Sequence, residues 1–248
     1  MLFETLTGAT SYNDRKCQVD AGKILVVLNV PTADLSDPTF SIEIKDGGNG
    51  TTICKRLALS KLMEFSQNKE GFKRIFVTAT HTIIRGYIDL CEFGALSLDQ
   101  HKYLSIDVEN VATTAEIKLY AKSDNEISRT YFEYNRNDTA TKDQKLMLAG
   151  KEYLLLTKSH VDEVRLTYAT GRTQRMPTAL LEGDQDDNND LVSVTTDVVA
   201  GTTVAQYGSE SIFILGLTKP DGTTNVVSAE ITTDGAMVEY ILIDSKPL

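Results

Sequence analysis

"SIDVENVATTAEIKLYAKSD" runs from Ser105 to Asp124, and "SAEITTDGAMVEYILIDSK" runs from Ser228 to Lys246. With one gap the two align. Ser105 meets Ser228, Asp107 meets Glu230, Glu116 meets Glu239 and Leu119 meets Leu242, every pair 123 positions apart in a chain of 248 residues. Both stretches alternate apolar and polar residues, the pattern of a strand with one buried face. Each closes one half of the chain. A repeat of this length decides the fold before any single element does.

Three further matches keep the same order. "DAGKILVVL" (Asp20–Leu28) corresponds to "LAGKEYLLL" (Leu148–Leu156). "FSIEIKDGGNGTTICKRLALSKL" from Phe40 corresponds to "VRLTYATGRTQRMPTALL" from Val164: an alternating strand, a glycine turn, basic residues and a short apolar stretch. "IFVTAT" from Ile75 corresponds to "IFILGL" from Ile212. Order and spacing repeat together, so the chain reads as one plan built twice. The Gly-Lys pairs in the first match invite a phosphate-loop reading. That loop needs Gly five positions earlier and Ser or Thr directly after, so that backbone N–H groups wrap phosphate and a hydroxyl reaches magnesium. Cys17 and Lys145 stand at the first position, Ile24 and Glu152 at the second. Both copies fail at both ends, and the glycines are expected to mark the turn into an early strand of each half. Lys23 and Lys151 would then hold charge at the sheet rim.

Strands dominate the expected elements, with "DGGNG" (Asp46–Gly50) and "ATG" (Ala169–Gly171) as hairpin turns where glycine supplies positive φ. One helix is expected over Lys55–Asn68, where Leu59, Leu62, Met63 and Ser66 share a face. A second is expected to start near Pro177 and to stop at Gly183. Residues 122–144 are polar and rich in turn formers and read as a connector. Tyr131, Phe132 and Tyr134 within it are expected to bury against a neighbour, as an interface. The fold class that follows is all-β: two tandem jelly-roll β-sandwiches with short helical insertions, the first over 1–128 and the second over 129–248.

Composition narrows the function. The net charge is −10, which argues against nucleic acid as a direct partner, since phosphates are bound by basic surfaces. Residues 1–124 carry 14 basic and 16 acidic side chains, and residues 125–248 carry 11 and 19, so the acidity sits in the second half. Cys17, Cys54 and Cys91 have no C-x-x-C spacing and read as buried thiols of a reducing compartment. "MLFETLTGATSYNDRK" has no basic start followed by an apolar stretch, so no signal peptide is expected. His81, His101 and His160 are scattered without a second ligand at metal spacing. No nucleophile elbow or paired-carboxylate motif appears, and no enzyme is expected.

One stretch carries possible metal chemistry. In "EGDQDDNND" (Glu182–Asp190), Asp184, Asp186, Asn188 and Asp190 fall at every second position, as in calcium loops that converge hard oxygen ligands on one ion. The match is partial, with Asn189 in place of the sixth-position Gly and Thr195 in place of the twelfth-position Glu. Calcium is therefore the one cofactor to test, against the alternative of a solvated acidic loop. Lys55, Arg56, Lys61, Lys69, Lys73 and Arg74 form a basic cluster in the less acidic half. It reads either as solubilising surface or as a patch for an acidic flank of another subunit or for anionic lipid.

Taken together, the blocks Phe40–Thr80, "EISRTYFEYNRND" (Glu126–Asp138), "VDEVRLTYATGRTQRMPTALL" (Val161–Leu181) and "MVEYILIDS" (Met237–Ser245) resemble the double jelly-roll major capsid proteins of tailless icosahedral viruses with an internal membrane, corticovirus-type phages above all. The resemblance implies a homotrimer whose six jelly rolls make a pseudo-hexagonal capsomer. It also implies tiling of such capsomers around a lipid vesicle, a penton or minor capsid protein as further partner, assembly in the host cytoplasm and residence in the virion. The competing reading is a tandem β-sandwich that binds carbohydrate or a receptor with the help of calcium. The absence of Trp and an aromatic content of 7% weaken it, because sugar sites stack on exposed rings.

Overall fold

The computed structural model describes residues 1–70, 72–139, 143–186, 192–207, 209–218 and 225–248. The first half runs β1 (Leu2–Thr7), β2 (Tyr12–Cys17), β3 (Lys23–Pro31), β4 (Thr39–Asp46), β5 (Asn49–Ala58), α1 (Leu59–Glu70), β6 (Phe72–Val77), β7 (His81–Asp89), β8 (Lys102–Glu109) and β9 (Glu116–Lys122). The second runs β10 (Thr130–Asp138), β11 (Asp143–Met147), β12 (Tyr153–Thr157), β13 (Val161–Tyr168), β14 (Thr173–Pro177), α2 (Thr178–Asp186), β15 (Val192–Asp197), β16 (Thr202–Tyr207), β17 (Ile212–Gly216), β18 (Val226–Thr233) and β19 (Glu239–Pro247).

The sheets state the duplication. In the first half β1-β9-β3-β7 lie side by side in one sheet and β2-β8-β4-β5 in another. In the second half the orders are β10-β19-β12-β17 and β11-β18-β13-β14. Strand for strand these are the same, with first, last, third and sixth strands in one sheet and second, seventh, fourth and fifth in the other. That is the jelly-roll topology, twice. The quoted motifs take corresponding places: β9 and β19 begin at Glu116 and Glu239, the paired residues of the alignment.

Alternation sets the faces. β3 reads half-buried and buried by turns along its whole length, as does β4 over all but its last residue. In the second half one buried cluster draws on both sheets, with Leu154, Leu156 and Phe213 from one and Val164, Leu166 and Ile231 from the other. Two sheets facing each other over such a cluster make a sandwich.

Between its fifth and sixth jelly-roll strands each half carries an insertion. The first is α1 and β6; the second is α2 and the β15–β16 hairpin. β15 pairs parallel with β6, from Val192↔Phe72 to Asp197↔Val77, so the second insertion extends the first half's sheet to β1-β9-β3-β7-β6-β15-β16. The chain accordingly divides into Met1–Glu133 with Asp190–Tyr207 and Ser245–Leu248, and Tyr134–Asn189 with Gly208–Asp244. A single cut at 128/129 does not describe this division, because backbone pairing and not sequence order assigns the hairpin.

Several expectations are corrected. Within residues 122–144, Thr130–Asp138 form β10, the first strand of the second jelly roll, in the sheet with β19. The match of "IFVTAT" with "IFILGL" joins the inserted β6 to β17, whereas the sheet order puts β17 in the place of β7. α1 starts at Leu59, not Lys55. Lys55–Ala58 finish β5, where Phe40 pairs Leu57 and Thr39 pairs Ala58, and Arg56 takes a left-handed φ of 49° at the register shift. α1 begins where Asp37 accepts hydrogen bonds from the Ser60 N–H (3.0 Å) and hydroxyl (2.6 Å), a cap supplied from another segment. α2 continues past Gly183 to Asp186. A lone glycine costs helix stability but does not by itself end a helix.

The two Ala-Gly-Lys glycines are used differently. Gly150 has φ +80° and open space around it, so it serves the left-handed turn into β12. Gly22 has no such φ. A Cβ there would fall inside the van der Waals shell of the Gly94 carbonyl oxygen, with the carbonyl carbon at 3.2 Å. The backbones at Gly22 and Gly94 therefore meet face to face.

Candidate functional site

The lysines after those glycines are not solvated rim charges. Lys23 Nζ lies 3.2 Å from Asp89 Oδ1, and Asp89 is 1% exposed. Asp89 also accepts the Ser66 hydroxyl at 2.7 Å, tying β3, β7 and α1 together. Lys151 Nζ lies 3.0 Å from Asp244 Oδ2, which is likewise buried. Glu64 of α1 and Lys73 of β6 form a further buried pair at 4.0 Å. α1 is thus covered on most of its surface, with Glu64, Ser66 and Gln67 buried beside Leu62, Met63 and Phe65. The periodicity reading found the apolar stripe but not the buried polar one. The signal that could have found it is a helix interior lacking a run of charged residues at Leu62–Gln67.

The basic cluster is split by this packing. Lys73 is buried, Lys55 and Arg74 are exposed, and Arg56 pairs with Glu109 at 3.1 Å. Tyr131, Phe132 and Tyr134 lie on β10 and are covered within the chain. Phe132 meets Phe65 edge-on, ring centroids 5.7 Å apart, and its N–H donates to the Leu90 carbonyl at 2.8 Å. The rings thus bury against neighbours in the same chain.

The acidic stretch falls partly outside the described residues. Asp184 is exposed near the end of α2, whose last turn holds no basic residue. Of Asp186 only the backbone is described, and Asn188 and Asp190 lie outside. Among the described residues no three His, Cys, Asp or Glu side chains converge at metal distance. His81, His101 and His160 are all exposed, and His160 Nδ1 sits 2.7 Å from Asp234 Oδ2.

The cysteines are buried thiols. Burial pushes the Cys54 thiol up to about 12 and raises Cys17 as well, so both stay protonated and unreactive. Two cavities open in the first unit. One, of about 260 Å³, lies between Leu35–Pro38 and α1 and is walled by Leu28, Met63 and Ile84. The other, of about 400 Å³, is polar and lies between Lys23, Glu92 and Phe93 on one side and Lys122–Glu126 on the other. The first cavity's wall includes the Ser60 hydroxyl, which donates to the Asp37 carboxylate at 2.6 Å as part of the cap of α1. No helix is long and apolar enough to cross a membrane among the described residues.

The repeated strand order defines a double jelly roll. The chain is similar in structure to the major capsid protein P2 of bacteriophage PM2, with a TM-score of 0.50 at 10% identity, over 100% of this chain and 95% of that one. It is also similar to the PBCV-1 virus capsid (TM-score 0.45, 8% identity, 95% of this chain and 92% of that one). The same holds for the Sputnik virophage structure (TM-score 0.37, 11% identity, 99% and 85%). The first of these carries the fold: the double jelly roll extends over the full chain. No protein-family model matches the sequence, and no curated protein matches it significantly.

Proposed function

We propose that this chain is a viral major capsid protein, resident in the virion, that acts by assembling and not by catalysis. The observation that supports it is the repeated strand order, two like jelly rolls in one chain, in a fold shared over its whole length with a phage capsid protein. Three such chains supply six similar sandwiches, so a homotrimer approximates a hexagon and can tile a closed shell. On this reading the shell encloses a lipid membrane, and the exposed basic residues Lys55 and Arg74 are candidates for contact with anionic headgroups or with an acidic neighbour. Calcium at Asp184–Asp190 remains a proposal of the same kind. The test is the absolute mass of the purified chain by light scattering. A stable particle of three times 27.3 kDa is expected. A monomer at all concentrations, or a monomer with glycan affinity, would overturn the reading.

A further inference from the structure

We infer that the outer edge of β16 is a docking strand for β16 of a second copy of this chain, the two pairing antiparallel across a two-fold axis. Edge strands present unpaired N–H and C=O groups that template another strand, and folded proteins blunt them with charges, bulges, proline or cover. The other sheet edges here are blunted among the described residues. β1 carries Glu4 and a register break between Leu2 and Glu4. β2 has a break between Tyr12 and Arg15, and β5 carries Lys55 and a left-handed Arg56 at a register shift. β10, β11 and β14 all bear charges, and β17, though uncharged, has Ile212, Phe213 and Leu215 buried and Ile214 half-buried.

Among the described residues β16 has none of these devices. "TTVAQY" is uncharged, free of proline and rich in β-branched residues, and its register with β15 is unbroken from Val192↔Tyr207 to Asp197↔Thr202. Thr202–Gln206 are exposed on both faces of the strand. Val204 is 59% exposed, and at the hairpin tip Val198 and Val199 are 60% and 66% exposed.

Charge and symmetry select the occupant. Copies carrying −10 repel one another, and the hairpin 192–207 holds a single charged residue, Asp197. Here a second copy approaches against least opposition. Pairing β16 to β1 of the next copy would meet a blunted edge and would have to close head to tail. Pairing β16 to itself closes after two copies and leaves neither strand an open outer edge. Two seven-stranded sheets would then run on as one. The inference stands on the sheet edge and not on the capsid reading. Within that reading it is a contact between capsomers, since the three-fold axis serves within one.

The test uses the full chain. Backbone amides of residues 202–206 are expected to exchange more slowly as protein concentration rises. Among Thr203→Cys, Val204→Cys and Ala205→Cys, mild oxidation is expected to give a disulfide-linked dimer at one register position, the native thiols being buried. Val204→Lys, and Gln206→Lys on the same face, should weaken the two-fold association about tenfold or more, with an unchanged urea midpoint showing that folding is intact. Concentration-independent exchange overturns the proposal. So does cross-linking to Thr5→Cys of β1, or a Val204→Lys chain that loses its trimer. A β16 pairing found in a chain that never trimerises would sink the capsid reading alone.

Discussion

Gly22 and Gly150 sit in the same tripeptide and should fail differently. At Gly22 an added Cβ would press on the Gly94 carbonyl closer than the 3.0 Å that real Cβ atoms keep, and the obstacle is backbone. Relief requires the strand start to part from the 94–96 segment. That segment is held by Ala21 N–H to Leu96 O (3.2 Å) and Leu96 N–H to Ala21 O (2.9 Å), and Gly22 itself bonds Lys122 O and accepts from Leu90 N–H, both at 2.9 Å. Two such buried bonds left unmade, at about 1–3 kcal/mol each, put Gly22→Ala at about 2–6 kcal/mol. Gly150→Ala meets nothing within 4 Å and pays only for its left-handed φ, about 1–2 kcal/mol. Urea denaturation of both variants, read at the midpoint with unchanged slope, measures the difference. Equal losses, or a smaller loss at Gly22, would refute the close backbone approach.

Asp89→Ala removes the buried partner of Lys23 and of the Ser66 hydroxyl and should cost about 3–5 kcal/mol by the same assay, whereas Lys118→Ala, breaking the half-exposed 3.1 Å pair with Glu116, should cost under about 1 kcal/mol. Phe132→Ala, in a fully buried ring, should cost about 3–5 kcal/mol in the isolated chain. Unchanged chain stability with lost association would assign Phe132 to an interface. Asp184→Ala with Asp186→Ala should abolish any rise in thermal midpoint on adding calcium; a calcium response identical to that of the parent chain would end the calcium proposal. Replacing those acids should stabilise α2 slightly without calcium, since carboxylates at a helix C-terminus oppose its dipole.

Much of the architecture was legible in residues. Alternation in "FSIEIK" and "EVRLTYA" gave β4 and β13, and the glycine pair in "DGGNG" gave the turn at Gly47 and Gly48, whose φ values are 55° and 100°. What escaped were strands without alternation. β5 carries "KRLA", a good helix former in isolation, and β10 opens with adjacent buried Tyr131 and Phe132. Such strands are fixed by the backbone partner beside them, which propensity does not see.

The sequence by itself determined that the chain is β-built and duplicated, because face alternation and repeated spacing are local properties written residue by residue. Only the tertiary structure decided which strand lies beside which. It carried the β15–β16 hairpin into the first half's sheet, buried Asp89 against Lys23, set Gly22 against Gly94 and covered the β10 rings. Each of these depends on groups brought together from distant positions, through hydrogen bonds and close packing that no local pattern encodes. The unblunted edge of β16 belongs with them, since a strand is an edge only by virtue of what does not pair with it.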